Sequence, residues 1–555
     1  MRKFFTNPFF LLLIVIIIAS FLRLYNIANV PPGLYPDEAM DGTNAQEAIS
    51  TGNFRVFYPE NNGREGLFMN IQAVSIMLFG NEPWALRIVS AFFGIFTVLG
   101  LFFFTKQLFH PFLFHRNIDE LHHPDFPKKR KSIFSKLNPT SIALLASFFL
   151  ATSFWHINFS RISFRAIMAP FFAIWAFYFL LKAFNHLDRI QNSKFLILNS
   201  LVGGIFFGLG FYSYIAFRPL PLLALVIFLI YWLDHHDKKF RRKLLLATSY
   251  WLLAAFVVAL PLGIYFLEHP ADFFGRTNEI SIFNSQTPLG DLATNIAKTA
   301  GMFNVEGDHN WRHNVSGRPE LFWSVGLLFL LGIILGFRES VRRYRIKNHS
   351  RVESTLEVRD KKAIVYAFTI LLSWILIASL PVVISNEGLP HALRAILMLP
   401  PILIFAAFGG IVLYEFIKEW VIENSHFETD IRHKKTRVNL VLFKIATGVF
   451  LTLLIFEAYN TYFNVWGENP NVSGAFNEEY AHTAQLLNSM PASTPKYVIV
   501  QTSGVLVRGI PMPAQTVMFI TDTFTPEKQA LKNMHYVLPD HANTIPKNAF
   551  VVTLE

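Results

Sequence analysis

Long apolar runs separated by short polar segments dominate the chain. Runs of about 17–25 residues with almost no internal charge are long enough to cross the hydrocarbon core of a bilayer as helices. They occur at residues 8–24, 85–107, 140–156, 166–184, 196–213, 216–233, 244–267, 321–337, 363–385, 392–417 and 441–459. Of the 555 residues, 52% are hydrophobic, which leaves too few polar residues to cover a water-soluble domain of this size. The pattern therefore predicts an all-α polytopic membrane protein with about eleven transmembrane helices.

The charge in the loops predicts how these helices are oriented. Lysine and arginine concentrate in alternate loops, at residues 108–139, 234–243, 338–362 and 418–440. The positive-inside rule places such loops and the N-terminus in the cytoplasm. The long outer segments are then residues 25–84, 268–320 and 460–555. The positive charges that make up the net charge of +11 lie where this rule places them, so they do not indicate a nucleic-acid partner. We expect a multi-pass protein of the cell (plasma or inner) membrane.

The two parts of the chain differ in pattern. Residues 1–460 carry all the apolar runs and are predicted to form one transmembrane domain, with outer loops 25–84 and 268–320. Within the first outer loop, the apolar part of residues 60–84 is too short to cross and predicts an amphipathic helix in the outer interface. Residues 461–555 alternate apolar and polar positions between Pro-rich connections, which predicts a small extracytoplasmic α/β domain.

Residues that could do chemistry gather at the predicted outer face. Asp37 and Glu38 follow the first apolar run closely, so two adjacent carboxylates stand where the chain first leaves the bilayer. They also suit the first turn of a helix, where they would cap free N–H groups and interact favourably with the positive end of the helix dipole. Further polar side chains recur near the outer ends of the runs: Asp41, Glu65, Arg161, Arg165, Tyr212, Tyr214, Arg218, His391 and Arg394.

Arginine, and not lysine, occupies the outer turns at 156–165, 212–219 and 391–394. The planar fork of its guanidinium suits a phosphate ester or a diphosphate better than an ammonium does. The alternative is an anchoring role, because arginine at an interface also extends its charge towards water and pairs with lipid headgroups.

The sequence excludes several kinds of site. The chain has no Cys, which excludes disulfides, Cys-ligated metals and a thiol nucleophile. It carries no nucleotide-binding glycine pattern and no serine nucleophile elbow. His309 and His313 beside Asp308 could form a metal site, although Gly307 and Gly317 indicate a loop there. No cofactor is predicted, and a divalent metal is left open.

Three motifs carry a resemblance to a known family. Pro36-Asp37-Glu38-Ala39 after the first run, then Arg64-Glu65-Gly66-Leu67 and the stretch from Leu78 to Arg87, resemble the opening of the polytopic GT-C glycosyltransferases. The chain is most similar to the bacterial and archaeal branch related to protein O-mannosyltransferases and lipid A aminoarabinose transferases. The similarity extends over residues 5–420 and includes Ser160-Arg161, Tyr212 to Arg218, and His391 with Arg394.

Two departures from the family concern the acceptor. Glu65-Gly66-Leu67 stands where these relatives typically carry a Pro-Pro-Leu element, and the basic insert at 108–139 is longer than a compact cytoplasmic turn. Both leave the acceptor class open more than the reaction class.

The resemblance implies an integral-membrane glycosyltransferase. It would move a hexosyl or pentosyl group from a polyprenyl-phosphate donor to a protein, lipid or glycan acceptor on the non-cytoplasmic face, with inversion. Asp37 would be the general base, and Glu38 and Glu65 further catalytic or metal-holding carboxylates. The resemblance assigns the donor phosphate to Arg161, Arg165, Arg218, His391 and Arg394, and the sugar or acceptor to Asp41, Tyr212 and Tyr214. Membrane lipids would surround the spans.

Two functions from other classes stay open. A transporter or flippase of lipid-linked sugars would need the same headgroup contacts without a base, but repeated halves and broken spans, which are typical of transporters, are not found. A membrane scaffold whose outer tail binds partners would leave the adjacent Asp37 and Glu38 without a role.

Overall fold

The structure is a computed structural model. It describes residues 7–110, 137–187, 193–279, 281–347, 355–386, 388–423 and 430–555. The predicted basic segment Lys128-Lys129-Arg130-Lys131 lies outside the described residues, as do residues 348–354 and 424–429 of two further basic loops.

The described part of the chain is mostly helical. Its helices are α1 Pro8–Leu24, α2 Pro36–Thr51, α3 Leu67–Phe79, α4 Pro83–Leu108, α5 Pro139–Thr152, α6 Phe154–Phe159, α7 Met168–Phe184, α8 Ser193–Gly210, α9 Pro221–Asp234, α10 Lys238–Glu268, α11 Pro270–Glu279, α12 Pro288–Gly301, α13 Trp323–Lys347, α14 Thr355–Val383, α15 Leu399–Glu423, α16 Asp430–Tyr459, α17 Pro470–Ala475, α18 Glu478–Ser489, α19 Gln515–Ile520 and α20 Pro526–Lys532. The strands are β1 Phe57–Tyr58, β2 Arg64–Glu65, β3 Lys496–Val500, β4 Leu506–Val507, β5 Ile510–Pro511, β6 Met534–Val537 and β7 Phe550–Leu554.

Nine helical segments within the described ranges are long and apolar enough to cross a membrane. They are Pro83–Leu108, Arg165–Phe184, Ser193–Gly210, Ile215–Asp234, Lys238–Glu268, Trp323–Val341, Ile364–Val383, Ile396–Glu423 and Val438–Trp466. The two other predicted runs, at 8–24 and 140–156, coincide with the shorter apolar helices α1 and α5. The prediction of an all-α polytopic membrane protein is confirmed, because each of the eleven apolar runs lies on an apolar helix.

Two buried arginines tie the short helices α1 and α5 to their neighbours. The Arg23 guanidinium donates to the backbone carbonyls of Leu150 and Ala151, in the last turn of α5, at 3.1 Å each. The Arg161 guanidinium donates to the carbonyl of Leu22, near the end of α1, at 3.2 Å. The last carbonyls of a helix have no partner within the helix, and a cation there also interacts favourably with the negative end of the helix dipole. These arginines therefore satisfy backbone groups that lipid could not.

Two short helices, α3 and α12, have polar residues that face the protein interior and apolar residues that face outwards. In α3, Gln72 is buried and donates to the Ser163 hydroxyl, whereas Leu78 is 71% exposed. In α12, the buried Asn295 donates to two backbone carbonyls at 3.0 Å, and Leu289 is 83% exposed. This distribution is the reverse of that in a water-facing helix and is typical of a helix that lies against lipid. The predicted interfacial helix within residues 60–84 corresponds to α3.

The C-terminal part contains the predicted small α/β structure. Strands β6, β3 and β7 form a parallel sheet in that order, with β3 in the centre, and β4 and β5 form an antiparallel hairpin. The last span continues as a π-helix, Asn460–Trp466, across the predicted domain boundary at 460/461. A separate domain at 461–555 therefore stays a prediction.

The C-terminal part packs closely on α2 and the turn before it. Gln515 accepts from the Thr43 hydroxyl at 3.2 Å, and the Thr516 hydroxyl donates to the Leu34 carbonyl at 2.9 Å. A Cβ on Gly42 would lie 2.5 Å from the Phe519 ring, so only glycine allows α19 to approach α2 this closely. The contact brings residues from both ends of the chain to one cavity.

Candidate active site

A cavity of about 400 Å³ lies between the start of α2 and the C-terminal part. Its lining residues are Tyr35, Pro36, Asp37, Asp41, Asn61, Asn62, Arg64, Phe164, Arg165, Ala166, Tyr214, Leu393, Asn477, Ser503, Gly504, Val505, Met512 and Pro513. Of the predicted site residues, the structure brings Asp37, Asp41, Arg165 and Tyr214 together in this lining. Its volume is within the range of small-molecule sites.

Asp37 stands in the first turn of α2. Pro36 occupies the first helical position, where its fixed φ and missing N–H cost nothing, and two carboxylates follow in the first turn. The helix ends at Gly52, whose φ of +69° is the left-handed conformation that favours glycine. The Asp37 side chain is half-buried, and its Oδ1 accepts from the Asn61 carboxamide at 2.6 Å. The helix start and this hydrogen bond hold the carboxylate at the cavity.

Glu38 points away from the cavity, although it is adjacent in sequence. Its carboxylate is fully buried and pairs with the Arg87 guanidinium at 3.1 Å. It also accepts from the backbone N–H of Ser163 at 2.8 Å and from that of Tyr35 at 3.3 Å. The last of these bonds is half of a capping box at the start of α2. The capping role predicted for the pair of carboxylates therefore fits Glu38, and Asp37 faces the cavity.

Asp41 lies one turn after Asp37 and lines the same cavity. Its carboxylate is buried and accepts from the Arg64 guanidinium, which also donates to the Asn44 carboxamide at 2.7 Å. Burial raises the pKa of Asp41 to about 6, against the lowering effect of Arg64 and Arg165. Burial of the Asp41 carboxyl therefore outweighs the effect of the two guanidiniums on its pKa.

Glu65 forms ion pairs with two of the predicted phosphate-binding arginines. Its Oε2 accepts from Arg165 Nε at 3.0 Å, and its Oε1 lies 3.8 Å from Arg218 Nη2. The Arg165 guanidinium also lies over the Tyr214 ring, 5.6 Å from its centroid. The Arg218 guanidinium stacks on the Phe273 ring at 4.3 Å and donates to the Phe273 carbonyl. Of the two arginines, only Arg165 is part of the cavity lining.

Three other predicted site residues have contacts within the protein and lie outside the cavity lining. The Arg161 guanidinium contacts backbone carbonyls and lies over the Tyr462 and Phe463 rings, 5.0 and 4.8 Å from their centroids. The buried Arg394 donates to the Ser385 hydroxyl. The Tyr212 hydroxyl bonds to the backbone of α10. Their assignment to donor or acceptor stays a prediction that this geometry does not favour.

Tyr212 hydrogen-bonds to the backbone of α10 beside an internal proline. Pro261 stands inside α10, where its ring displaces the regular hydrogen bonding of the preceding turn. The Tyr212 hydroxyl donates to the Val258 carbonyl at 3.0 Å and accepts from the Leu262 N–H at 3.2 Å. One hydroxyl thus bridges two backbone groups on either side of the proline.

A second polar cluster, which could hold a metal, is formed by Asp308, His313 and His391. One ligand atom from each lies within 4.8 Å of the others. His313 Nδ1 is 2.8 Å from Asp308 Oδ2, and the His313 and His391 rings are 5.0 Å apart. Burial raises the pKa of Asp308, but the hydrogen bond from His313 and the charges of both histidines outweigh it and hold that pKa below its ordinary value. Two imidazoles and a carboxylate suit Zn²⁺.

His309 is not part of this cluster, although its spacing from His313 allowed a metal pair. His309 is exposed, and its Nε2 lies 3.0 Å from Glu306 Oε1. Instead, the turn that begins at Asp308 places His313 against the loop of His391, because the Ala392 N–H donates to Asp308 Oδ2 at 2.8 Å. Sequence spacing could not indicate His391, which comes from a loop about eighty residues away.

Comparison with known proteins identifies the fold. No family model matches the chain, and no curated protein matches it. The Archaeoglobus fulgidus oligosaccharyltransferase tethered with an acceptor peptide aligns over 97% of this chain at 14% identity, with a TM-score of 0.51. ArnT from Cupriavidus metallidurans bound to undecaprenyl phosphate aligns over 98% of this chain and 92% of its own length at 12% identity, with a TM-score of 0.50. The chain has the GT-C fold.

Archaeal AglB from Archaeoglobus fulgidus, in complex with an inhibitory peptide and a dolichol-phosphate, has the same GT-C fold. It aligns over 96% of this chain at 13% identity, with a TM-score of 0.52. The chain spans 65% of the length of the tethered oligosaccharyltransferase and 64% of this AglB chain. At such identities the likeness shows the fold alone.

Sequence reasoning missed most of the residues that line this cavity. It did not select Asn61, which holds Asp37, or Arg64, which holds Asp41, although Arg64 is part of the family motif. A signal for the first was present, because Asn61-Asn62-Gly63 is a turn sequence, and all three residues have positive φ. No comparable signal marks Ser503 to Val505.

Proposed function

We propose that this protein is an integral-membrane glycosyltransferase that moves a sugar from a polyprenyl-phosphate donor to an acceptor hydroxyl on the non-cytoplasmic face. The observation that carries the proposal is the placement of Asp37. It is a half-buried carboxylate in a 400 Å³ cavity, held by Asn61 and faced by two cations, Arg64 and Arg165. A base beside fixed positive charge is the arrangement that displacement of a phosphate by a hydroxyl requires.

In the proposed reaction, the acceptor oxygen attacks the anomeric carbon and its proton passes to Asp37. The bond between the anomeric carbon and the phosphate oxygen breaks, and its electron pair leaves with the polyprenyl phosphate. Attack opposite to the leaving group inverts the anomeric configuration. A positioned general base typically accelerates such a step by about 10²–10⁴-fold.

The other side chains take supporting roles in this proposal. Arg165 is the cation for the leaving phosphate, since it lines the cavity and Glu65 fixes its guanidinium at 3.0 Å. Arg64 fixes Asp41, which contacts the acceptor or the sugar. Glu38 is a positioning residue, because its bonds to Arg87 and to the backbone fix the first turn of α2 that carries Asp37.

The compared structures support the choice of donor. One holds dolichol-phosphate and another undecaprenyl phosphate, both lipid phosphates. A donor anchored in the membrane agrees with a cavity that a multi-pass protein forms beside its spans. It also agrees with the absence of nucleotide-binding motifs from the sequence.

Asp37→Asn tests the proposal. Asparagine keeps the size of the side chain and caps a helix about as well as aspartate does, so folding should persist. Transfer from radiolabelled polyprenyl-phosphate sugars should fall by about 10²-fold or more, while binding of the donor lipid persists. Asp522→Asn is the matched control, since Asp522 pairs with Lys528 away from the cavity and should leave transfer unchanged. Full activity of Asp37→Asn would refute the assignment of the base.

A further inference from the structure

The two walls of the cavity differ in charge. Asp37, Asp41, Arg64 and Arg165 are the charged side chains of the lining, and all four come from the first outer segment or the loop before α7. The C-terminal wall consists of Asn477, Ser503, Gly504, Val505, Met512 and Pro513, which carry no charge. If the charged wall performs the reaction, the neutral wall is left to receive the second substrate.

The C-terminal wall is held in place over the cavity. The β4–β5 hairpin joins its two lining stretches, and the Met512 N–H donates to the Val505 carbonyl at 2.9 Å. At the hairpin turn, Arg508 pairs with Glu47 of α2 at 2.7 Å and lies 3.8 Å from Glu60. The Arg508 guanidinium also lies over the Phe524 ring at 4.2 Å. The hairpin is thus bound to α2, whose first turn carries the proposed base.

The position of this wall suits the acceptor and not the donor. A donor with a polyprenyl tail has to keep that tail in the membrane and its phosphate near cations, and the cations stand on the opposite wall. Ser503, Gly504 and Val505 are exposed and belong to the part of the chain that follows the last span. An acceptor can therefore reach them from the aqueous side.

The chemistry of the wall suits a neutral sugar. A hydroxyl on Ser503 and a carboxamide on Asn477 offer hydrogen bonds, while Val505, Met512 and Pro513 offer apolar surface. A pyranose ring presents the same alternation, with hydroxyl groups at its edge and C–H groups on its faces. An anionic acceptor would meet no cation on this wall. An extended peptide is commonly held by pairing with a strand, and residues 503–505 form none.

We propose that Ser503, Gly504 and Val505, together with Met512 and Pro513, form an acceptor subsite for an uncharged sugar. The inference rests on the proposed function. In this subsite the acceptor lies against the C-terminal wall, and its attacking hydroxyl points towards Asp37.

The test separates acceptor use from donor use. Purified protein in nanodiscs receives radiolabelled polyprenyl-phosphate hexoses and pentoses, first without acceptor and then with neutral methyl hexosides or with a Ser/Thr peptide. Release of free sugar to water measures donor use, and labelled product measures transfer. Val505→Trp fills the subsite and should lower transfer to methyl hexosides at least tenfold, mainly through KM. Release of free sugar should fall much less than transfer does, because the cations for the donor stand on the opposite wall.

Leu506→Trp is the matched control. Leu506 is the next residue, is 60% exposed and lies outside the lining, so a tryptophan there should change neither readout. Ser503→Asp is a second variant that adds a charge with much less bulk than tryptophan, and it should lower transfer in the same way. Unchanged transfer in both lining variants, or transfer to the peptide alone, would overturn the proposal.

Failure of the proposed function gives a different result. In that case the wild-type protein would release no sugar from any donor. Saturation-transfer NMR then judges the subsite by itself, because wild-type protein should saturate the protons of methyl hexosides and Val505→Trp should not. Equal saturation by both proteins would overturn the subsite.

Discussion

Glu38→Gln is expected to destabilise the protein, unlike the change of its neighbour Asp37 to Asn. The Glu38 and Arg87 side chains are both fully buried and pair at 3.1 Å. The substitution keeps the shape of the side chain but removes its charge. The Arg87 guanidinium would then remain buried without its counter-charge, although it still donates to the carbonyls of Pro31 and Gly33 at 2.7 and 2.8 Å.

The size of the effect follows from the contacts of Glu38. Its carboxylate accepts two bonds from Arg87, at 3.1 and 3.3 Å, and two from the backbone N–H groups of Ser163 and Tyr35. Glutamine has one acceptor oxygen, so part of this set loses its partner. Removing one member of a buried ion pair costs about 3–5 kcal/mol. We expect the free energy of unfolding to fall by about this amount.

The assay is unfolding by SDS in mixed micelles, combined with a double-mutant cycle. Glu38→Gln and Arg87→Met are each expected to cost about 3–5 kcal/mol, because each leaves one buried charge unpaired. The double variant should cost less than the sum of the two by about 1–3 kcal/mol, since neither charge then remains. Additive costs would refute the reasoning. So would an unchanged stability of Glu38→Gln with a loss of transfer as large as that of Asp37→Asn, which would make Glu38 a catalytic group.

Two further predictions concern topology and metal binding. Because the native chain has no Cys, a single cysteine reports on one position: an impermeant thiol reagent added outside should label Ser489→Cys and spare Ser132→Cys, and the reverse pattern would place Asp37 in the cytoplasm. Purified protein should bind about one Zn²⁺, and its affinity should fall in acid because protons compete with the metal for imidazole and carboxylate ligands. His313→Ala and His391→Ala should weaken binding, whereas His309→Ala is the matched control, and equal binding by all three would contradict the site.

The membrane-spanning fold could be predicted well from the sequence. Apolar runs report directly on lipid contact, because backbone groups within a bilayer must pair inside a helix and the side chains must be apolar. The predicted runs at 8–24 and 140–156 mark the limit of this reasoning. They form helices of 17 and 14 residues, whose ends meet the buried guanidiniums of Arg161 and Arg23.

The arginines show why the site was harder to predict than the fold. Four arginines occur near predicted outer turns, and nothing in the sequence distinguishes them as phosphate ligands: Arg161, Arg165, Arg218 and Arg394. Their partners distinguish them: Arg161 meets the carbonyl of Leu22, and Arg165 meets Glu65 across about a hundred residues. Such pairings depend on tertiary contacts that no local pattern encodes. A guanidinium already bound to backbone carbonyls costs more to recruit for a ligand than one that lines a cavity.

The residues of the neutral cavity wall could not be predicted from the sequence for a different reason. Ser503, Gly504 and Val505 belong to no recognisable functional motif, and they follow Asp37 by more than 460 residues. The indirect signal is in two glycines near Asp37. A Cβ on Gly33 would lie 2.4 Å from the Phe476 carbonyl oxygen, and one on Gly42 would lie 2.5 Å from the Phe519 ring. The helix α2 begins with two carboxylates and has a glycine of this kind on either side of them. Such glycines indicate that another part of the chain contacts the helix closely. In this protein that contact makes the second wall of the cavity, so the residues that place the proposed base also determine what can approach it.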